Sequence, residues 1–372
     1  MPRVRAPKPG EEISTNKTLI PFSFWPAVHS TRWALQRRLY VKDPWATLFE
    51  AVYRSPVSKA RTDEALSYLD QAEEFYNSGT QVGSRMSVRP LLLYYSILNL
   101  AKCLIAVRNP TLDLSHARHG LTATRPHPRA ILGDEIGIRN APNNVNIFSE
   151  LMTILDGHAP RLRGLQVRHL LPQILPGHRL WTYACGRKEQ FLNINIKGFH
   201  DSDRRATWLR IYVDRGELAY LGHGVRSLIT ASELQGPWKQ VQPDDVTDQA
   251  VVIEQSRETA YVGRPLDCVT DLFRSIRSSL WSVVTTTDSH RKYYLNCDKG
   301  LGSHRLPQWS SVYVLFFYLS DLTRYRPVQF DRLIQGRYGP QIESFLAECP
   351  SQFLFLMASE LLQREVAPAD LA

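Results

Sequence analysis

Residues 90–107 read PLLLYYSILNLAKCLIAV. Apolar side chains surround most of this segment, so as a helix it has no wide polar face for water and must be packed by several neighbours. Its polar residues Ser96, Asn99 and Lys102 fall three apart and form one narrow stripe, and Arg108-Asn109-Pro110 closes it. The segment therefore reads as the spine of a helical core. A bilayer span requires about 20 apolar residues, which neither this polar-interrupted run nor residues 312–319 supplies.

Working outward, Asp43 before Pro44 places an N-cap acid ahead of a proline at the first helical position. Trp45, Leu48, Phe49 and Val52 continue that helix, and Pro56 stops it. A second helix is predicted over residues 62–77, with Asp63 and Glu64 in its first turn, an apolar row of Ala65, Leu69, Ala72 and Tyr76, and Gly79 beyond its end.

Beyond residue 130 the periodicity turns toward alternation, as in Ile136 and Ile138, in Leu192, Ile194 and Ile196 between asparagines, and in Leu209, Ile211 and Val213. One helix is expected inside this section, over residues 148–155. The segment after Val213 reads as a hairpin, and residues 250–254 with 259–262 as another. Helical spacing returns after Pro265, where Val269, Leu272, Phe273, Ile276 and Leu280 share one face, and again over residues 309–322. Two shorter helices are expected after Pro340 and Pro350, and no repeat at a solenoid period is visible. The expected fold class is α+β and mainly helical: a helical bundle built from both ends of the chain, residues 41–129 and 264–372, with a β-containing insertion at 130–263. A basic, partly disordered arm, residues 1–40, precedes it.

The 372 residues are 43% hydrophobic and 22% charged, a globular balance that excludes wholesale disorder and low-complexity fibres. Basic residues exceed acidic ones by 45 to 36, and 35 of the basic residues are arginine. Guanidinium forks bind phosphate or carboxylate bidentately, so the bias favours an anionic partner. Five widely spaced cysteines without a CxxC pair fit a reducing cytoplasm. The opening MPRVRAPKPGEE lacks the apolar core of a secretory signal. No cofactor is expected.

The tyrosine-paired helix at 90–107, followed by SHARHGL at 115–121, resembles the YYxxxHxxKALL plus H-x-G-L pattern of HEPN-type helical proteins. Toward the other end, VYVLFFYLSDLTRYRPVQF at 312–330 and ESFLAECPSQFLFLMASELL at 343–362 look like the closing segment of the bacterial YaaC-like family. That resemblance implies a predominantly helical cytoplasmic protein and confers no activity. Some HEPN-type proteins are ribonucleases in which an arginine stands four to six residues from a histidine, one stabilising the phosphate and the other moving the proton. With the arginine first, only Arg163 and His169 have that spacing, which chance alone supplies in a chain this rich in arginine.

The candidate binding residues lie elsewhere. His116, Arg118 and His119, with Arg125, His127 and Arg129 behind them, form a basic loop that is either a phosphate-binding segment or a solvated run whose histidines cap helix ends. The stripe of Ser96, Asn99 and Lys102 lines an internal cleft or faces water. Arg324 and Arg326 are favoured at a helix C-terminus by the macrodipole alone, yet they are also placed to meet the basic loop, and Tyr325 between them is suited to stack on a base. His200-Asp201-Ser202-Asp203 and Asp288-Ser289-His290 set carboxylates beside imidazoles but need partners from elsewhere to hold a metal, and none is assigned. HExxH, GxxxxGK, GxSxG and a strand-placed GxGxxG are missing.

These residues lead to an expectation of RNA or DNA, or another phosphate-bearing ligand, held by Arg89, Tyr95, Asn99, Lys102, His116, Arg118, His119, Arg324 and Arg326. The alternatives are a non-catalytic module whose insertion carries a protein partner, and a metal-independent ribonuclease of the HEPN type serving in stress response or phage defence.

Overall fold

The computed structural model describes residues 5–26, 38–81, 86–126, 131–139, 144–158, 162, 164–232, 234, 236–243, 249–286 and 291–369. Short strands β1 (Glu11–Glu12), β2 (Ser14–Thr15), β3 (Thr18–Leu19) and β4 (Leu39–Val41) precede helices α1 (Pro44–Tyr53), α2 (Lys59–Thr80) and α3 (Arg89–Arg108). Next come β5 (Leu121–Thr124), β6 (Glu135–Ile138), α4 (Ile147–Asp156), β7 (Leu165–Gln166), α5 (Val167–Leu170) and α6 (His178–Cys185). The long strands β8 (Phe191–Asp201) and β9 (Ala206–Asp214) lead to α7 (Arg215–Tyr220), α8 (Val225–Ser232), β10 (Trp238–Val241), β11 (Ala250–Gln255) and β12 (Thr259–Ala260). Then follow α9 (Val269–Arg274), β13 (Leu280–Val284), β14 (Arg291–Asn296), α10 (Gln308–Tyr325), α11 (Pro327–Gln335), α12 (Gly339–Leu362) and β15 (Val366–Pro368). The fold class is α+β.

The chain divides into two units, each assembled from separated segments. The helical unit takes residues 41–189 and 303–362. Its spine is α3, packed against α2, α4, α10 and α12, so helices from early and late in the chain do lie together. Both α3 and α12 are long and apolar enough to cross a membrane, but each is largely buried among its neighbours as a core helix. Residues 339–362, expected as two helices, form one, with Pro350 inside it. Residues 130–189, expected in the β-containing insertion, belong here too.

The sheet unit takes residues 1–40, 190–302 and 363–372. Its sheet runs β10-β11-β9-β8-β14-β13, with β1 on β8 and β12 on β9, all antiparallel. Alternating Leu192, Ile194 and Ile196 are buried while Asn193 and Asn195 are exposed, the period-two signature of a strand with one covered face.

Several expectations change here. The residues of the expected arm that are described contribute β1 to the sheet and bury Ile13, Ile20, Phe22, Phe24 and Trp25, because five large apolar side chains outweigh the flanking polar residues. After β9 there is no hairpin: the Asp214 carboxylate accepts the Glu217 N–H at 2.8 Å and caps α7, the reading that Asp-x-x-Glu favours. Strands β11 and β12 pair with β9, not with each other. The helical face read over residues 269–280 ends at Arg274, and Leu280 opens β13.

Candidate functional site

In the helical unit, the loop after α3 brings His119 against α10. Its ring stacks on Phe317 with centroids 5.3 Å apart, and Tyr313 donates to its main-chain carbonyl at 3.3 Å. Beneath, buried Tyr94 of α3 meets Tyr313 and Phe317 edge-on. The next residue, Gly120, has φ +88°, and a Cβ there would lie 1.8 Å from the Asn146 Oδ1, so only glycine fits. Asn146 fixes this turn from the N-cap of α4: its Oδ1 accepts the Ser149 N–H and its amide donates to the Gly120 and Arg139 carbonyls.

The imidazole Nδ1 accepts the Leu121 N–H at 3.2 Å, which makes Nε2 the protonated nitrogen and an outward donor. Burial lowers the pKa of His119, and the guanidinium charges of Arg324, Arg139 and Arg118 lower it further. None of those three arginines forms an ion pair among the described residues. Arg118 and Arg139 are exposed. Arg324 touches the Tyr95 hydroxyl at 3.5 Å and the Ser320 carbonyl at 3.4 Å, with its Cζ 5.2 Å from the exposed Tyr325 ring. A half-buried imidazole thus sits amid three guanidiniums with no carboxylate to balance them.

A model of the YaaC-like protein family matches residues 27–361. The chain belongs to the YaaC-like protein family. Searches of curated proteins and of solved structures returned no match.

Apart from Tyr95, the remaining candidate residues of this YaaC-like protein do not join the cluster. The polar stripe of α3 is its seam with α2: Tyr95 stacks on Phe75, Ser96 donates to the Ala72 carbonyl, Asn99 donates to Gln71, and the Lys102 ammonium lies 5.2 Å over the Tyr68 ring. Only the Tyr95 end reaches Arg324; Lys102 is seven residues, roughly 10 Å, further along the helix axis. Burial lowers the Lys102 pKa. Arg89 opens α3 beside Tyr76 of α2. His116 is exposed beside Asp113.

Arg326 is buried and bound to Asp134, 2.6 Å from Oδ2, where the Tyr318 hydroxyl also donates at 2.9 Å. Arg125 pairs with Asp321. Both side chains are thereby committed to structure, which their sequence neighbourhood did not disclose because each carboxylate lies far along the chain. Arg139 is the contributor that sequence reading missed: it stands alone in sequence and is brought beside His119 by the β5–β6 pairing, in which its N–H donates to the Gly120 carbonyl.

His127, Arg129, Arg163 and Asp288-Ser289-His290 lie outside the described residues. His169 stacks on His304 at 4.5 Å, far along the chain. Asp201 accepts the N–H groups of Asp203 and Arg204 and the Arg204 side chain, closing the β8–β9 turn. Among the described residues there is no cluster of His, Cys, Asp or Glu fit to hold a metal.

Proposed function

We propose that this protein binds a phosphate-bearing ligand, RNA or DNA, at Arg118, His119, Arg139 and Arg324. The observation that carries the reading is the uncompensated cluster itself: three permanently charged guanidiniums around the neutral donor of His119. Guanidinium groups left without carboxylates keep their donors for anionic oxygens, and Arg324 beside the exposed Tyr325 pairs a phosphate contact with a ring on which a base can stack. The His119 Nε2–H adds a neutral donor that a bound phosphate would convert toward imidazolium, so affinity should rise as pH falls. The location we infer is the cytoplasm, supported by five free cysteines.

The test is fluorescence anisotropy with labelled single-stranded RNA and duplex DNA across salt concentrations. Binding is expected to weaken as salt rises, and the log–log slope to fall by about 1 in Arg118→Gln and again in Arg324→Gln. Salt-independent binding, no binding, or unchanged slopes in both variants would remove the proposal.

A second reading, a HEPN-like ribonuclease, is favoured by one feature, the imidazole beside arginines that cleavage chemistry requires. It expects RNA cut in EDTA by the wild type and intact with His119→Ala. RNA left whole by the wild type rejects it.

A further inference from the structure

A second site lies in the sheet unit. Strand β14 leaves the edge of β8 after the Tyr293–Ile194 pair, and β1 joins that edge only at Phe199. Between them, at Asn195 to Lys197, no strand among the described residues covers β8 on this side, and a cavity of about 960 Å³ opens there. That volume is in the range of small-molecule sites.

Deep in the cavity the Glu365 carboxylate is gripped by two arginines, with Arg38 Nε 2.7 Å from one oxygen and Arg291 Nε 3.0 Å from the other. Arg291 also donates to the Val366 carbonyl at 3.1 Å. Nearer the rim, Lys197 pairs with Glu12 at 2.9 Å, and exposed Lys292 forms no ion pair among the described residues. The lining therefore holds four cationic side chains against two carboxylates. An anion is the ligand that corrects this excess.

Two further features narrow the ligand. Asn193 and Asn195, at alternate positions of β8, share one face of the strand and both line the cavity and are exposed, each offering a carbonyl acceptor beside an amide donor. That pair matches the edge of a nucleobase, as asparagine does with adenine. Tyr40 and Leu19, exposed by 36% and 52%, give the wall an apolar surface for a ring. The geometry points to a mononucleotide as the ligand: phosphate toward the cationic groups, base edge toward the two asparagines. This site shares no residue with the cluster around His119, so the two can succeed or fail separately.

Isothermal titration of the full chain with AMP, GMP, CMP, UMP, adenosine and inorganic phosphate tests it. At least one mononucleotide is expected to bind with a Kd below about 1 mM, with adenosine and phosphate each weaker by about tenfold or more. The double variant Asn193→Ala/Asn195→Ala and the single variant Lys292→Glu replace exposed side chains and leave the core intact. Each is expected to raise the Kd about tenfold, while Arg324→Gln leaves it unchanged. Silence from all four nucleotides, equal affinity for phosphate alone, or undiminished binding in both cavity variants would overturn the assignment.

Discussion

His178 shows how burial sets the behaviour of a single side chain. It opens α6 with its ring stacked on Trp181, and desolvation lowers its pKa to about 4. A histidine depressed in the folded state is held neutral there but takes a proton in the unfolded chain below about 6.5. Its contribution to stability is thus complete above pH 6.5 and declines as pH falls toward 4, by roughly 3 kcal/mol over that window. Urea midpoints measured across it should fall more steeply for the wild type than for His178→Phe; parallel curves would show that the ring titrates normally. The same physics keeps His119 uncharged near neutrality, yet the two differ in what sequence could reveal. His119 was legible, because a histidine before a glycine in a run of cations is visible in SHARHGL. The fate of Lys102 was not, because a polar stripe looks alike whether it meets water or the Gln71 and Tyr68 side chains of another helix.

Among the elements, Asp134 is the tie between the start of β6 and the junction of α10 with α11. The carboxylate is fully buried and takes the Arg326 guanidinium and the Tyr318 hydroxyl on the same oxygen. Removing one partner leaves a buried charge without compensation, which costs about 3–5 kcal/mol. Asp134→Ala and Arg326→Ala should each lower the unfolding free energy measured in urea by about that amount, and the double variant by less than their sum. Strict additivity would mean the pair is not coupled. Element identity was readable where local signals agree, as at the Asp43-Pro44 start of α1 and the alternation of β8. It was misread where a local rule met a tertiary one: Pro350 suggested a break, but Phe353, Leu354, Met357 and Leu361 bury the turns that follow it, and the helix runs on.

At the scale of the whole molecule, each unit gathers segments from both early and late in the chain. The expectation that distant helices pack together follows from an α3 too apolar to stand alone, and α10 and α12 meet it. The sheet boundaries were not legible, because the pairing of β8 with β14 joins residues about a hundred positions apart, and alternation cannot say which strands are neighbours. Cutting the chain after Gly302 would remove α10, α11 and α12 from one unit and β15 from the other. We expect that fragment to lack a cooperative thermal transition by circular dichroism; a sharp transition would show that the sheet unit folds without its last strand.

This interleaving also orders events during translation. Arg38 is made early and Arg291 much later, and the Glu365 that joins them leaves the ribosome only after α10, α11 and α12 have been synthesised. For most of that interval the nascent chain carries one of these guanidiniums, and near its end both, with their counter-charge not yet made, so β4 waits for β15 before its surroundings are electrically complete.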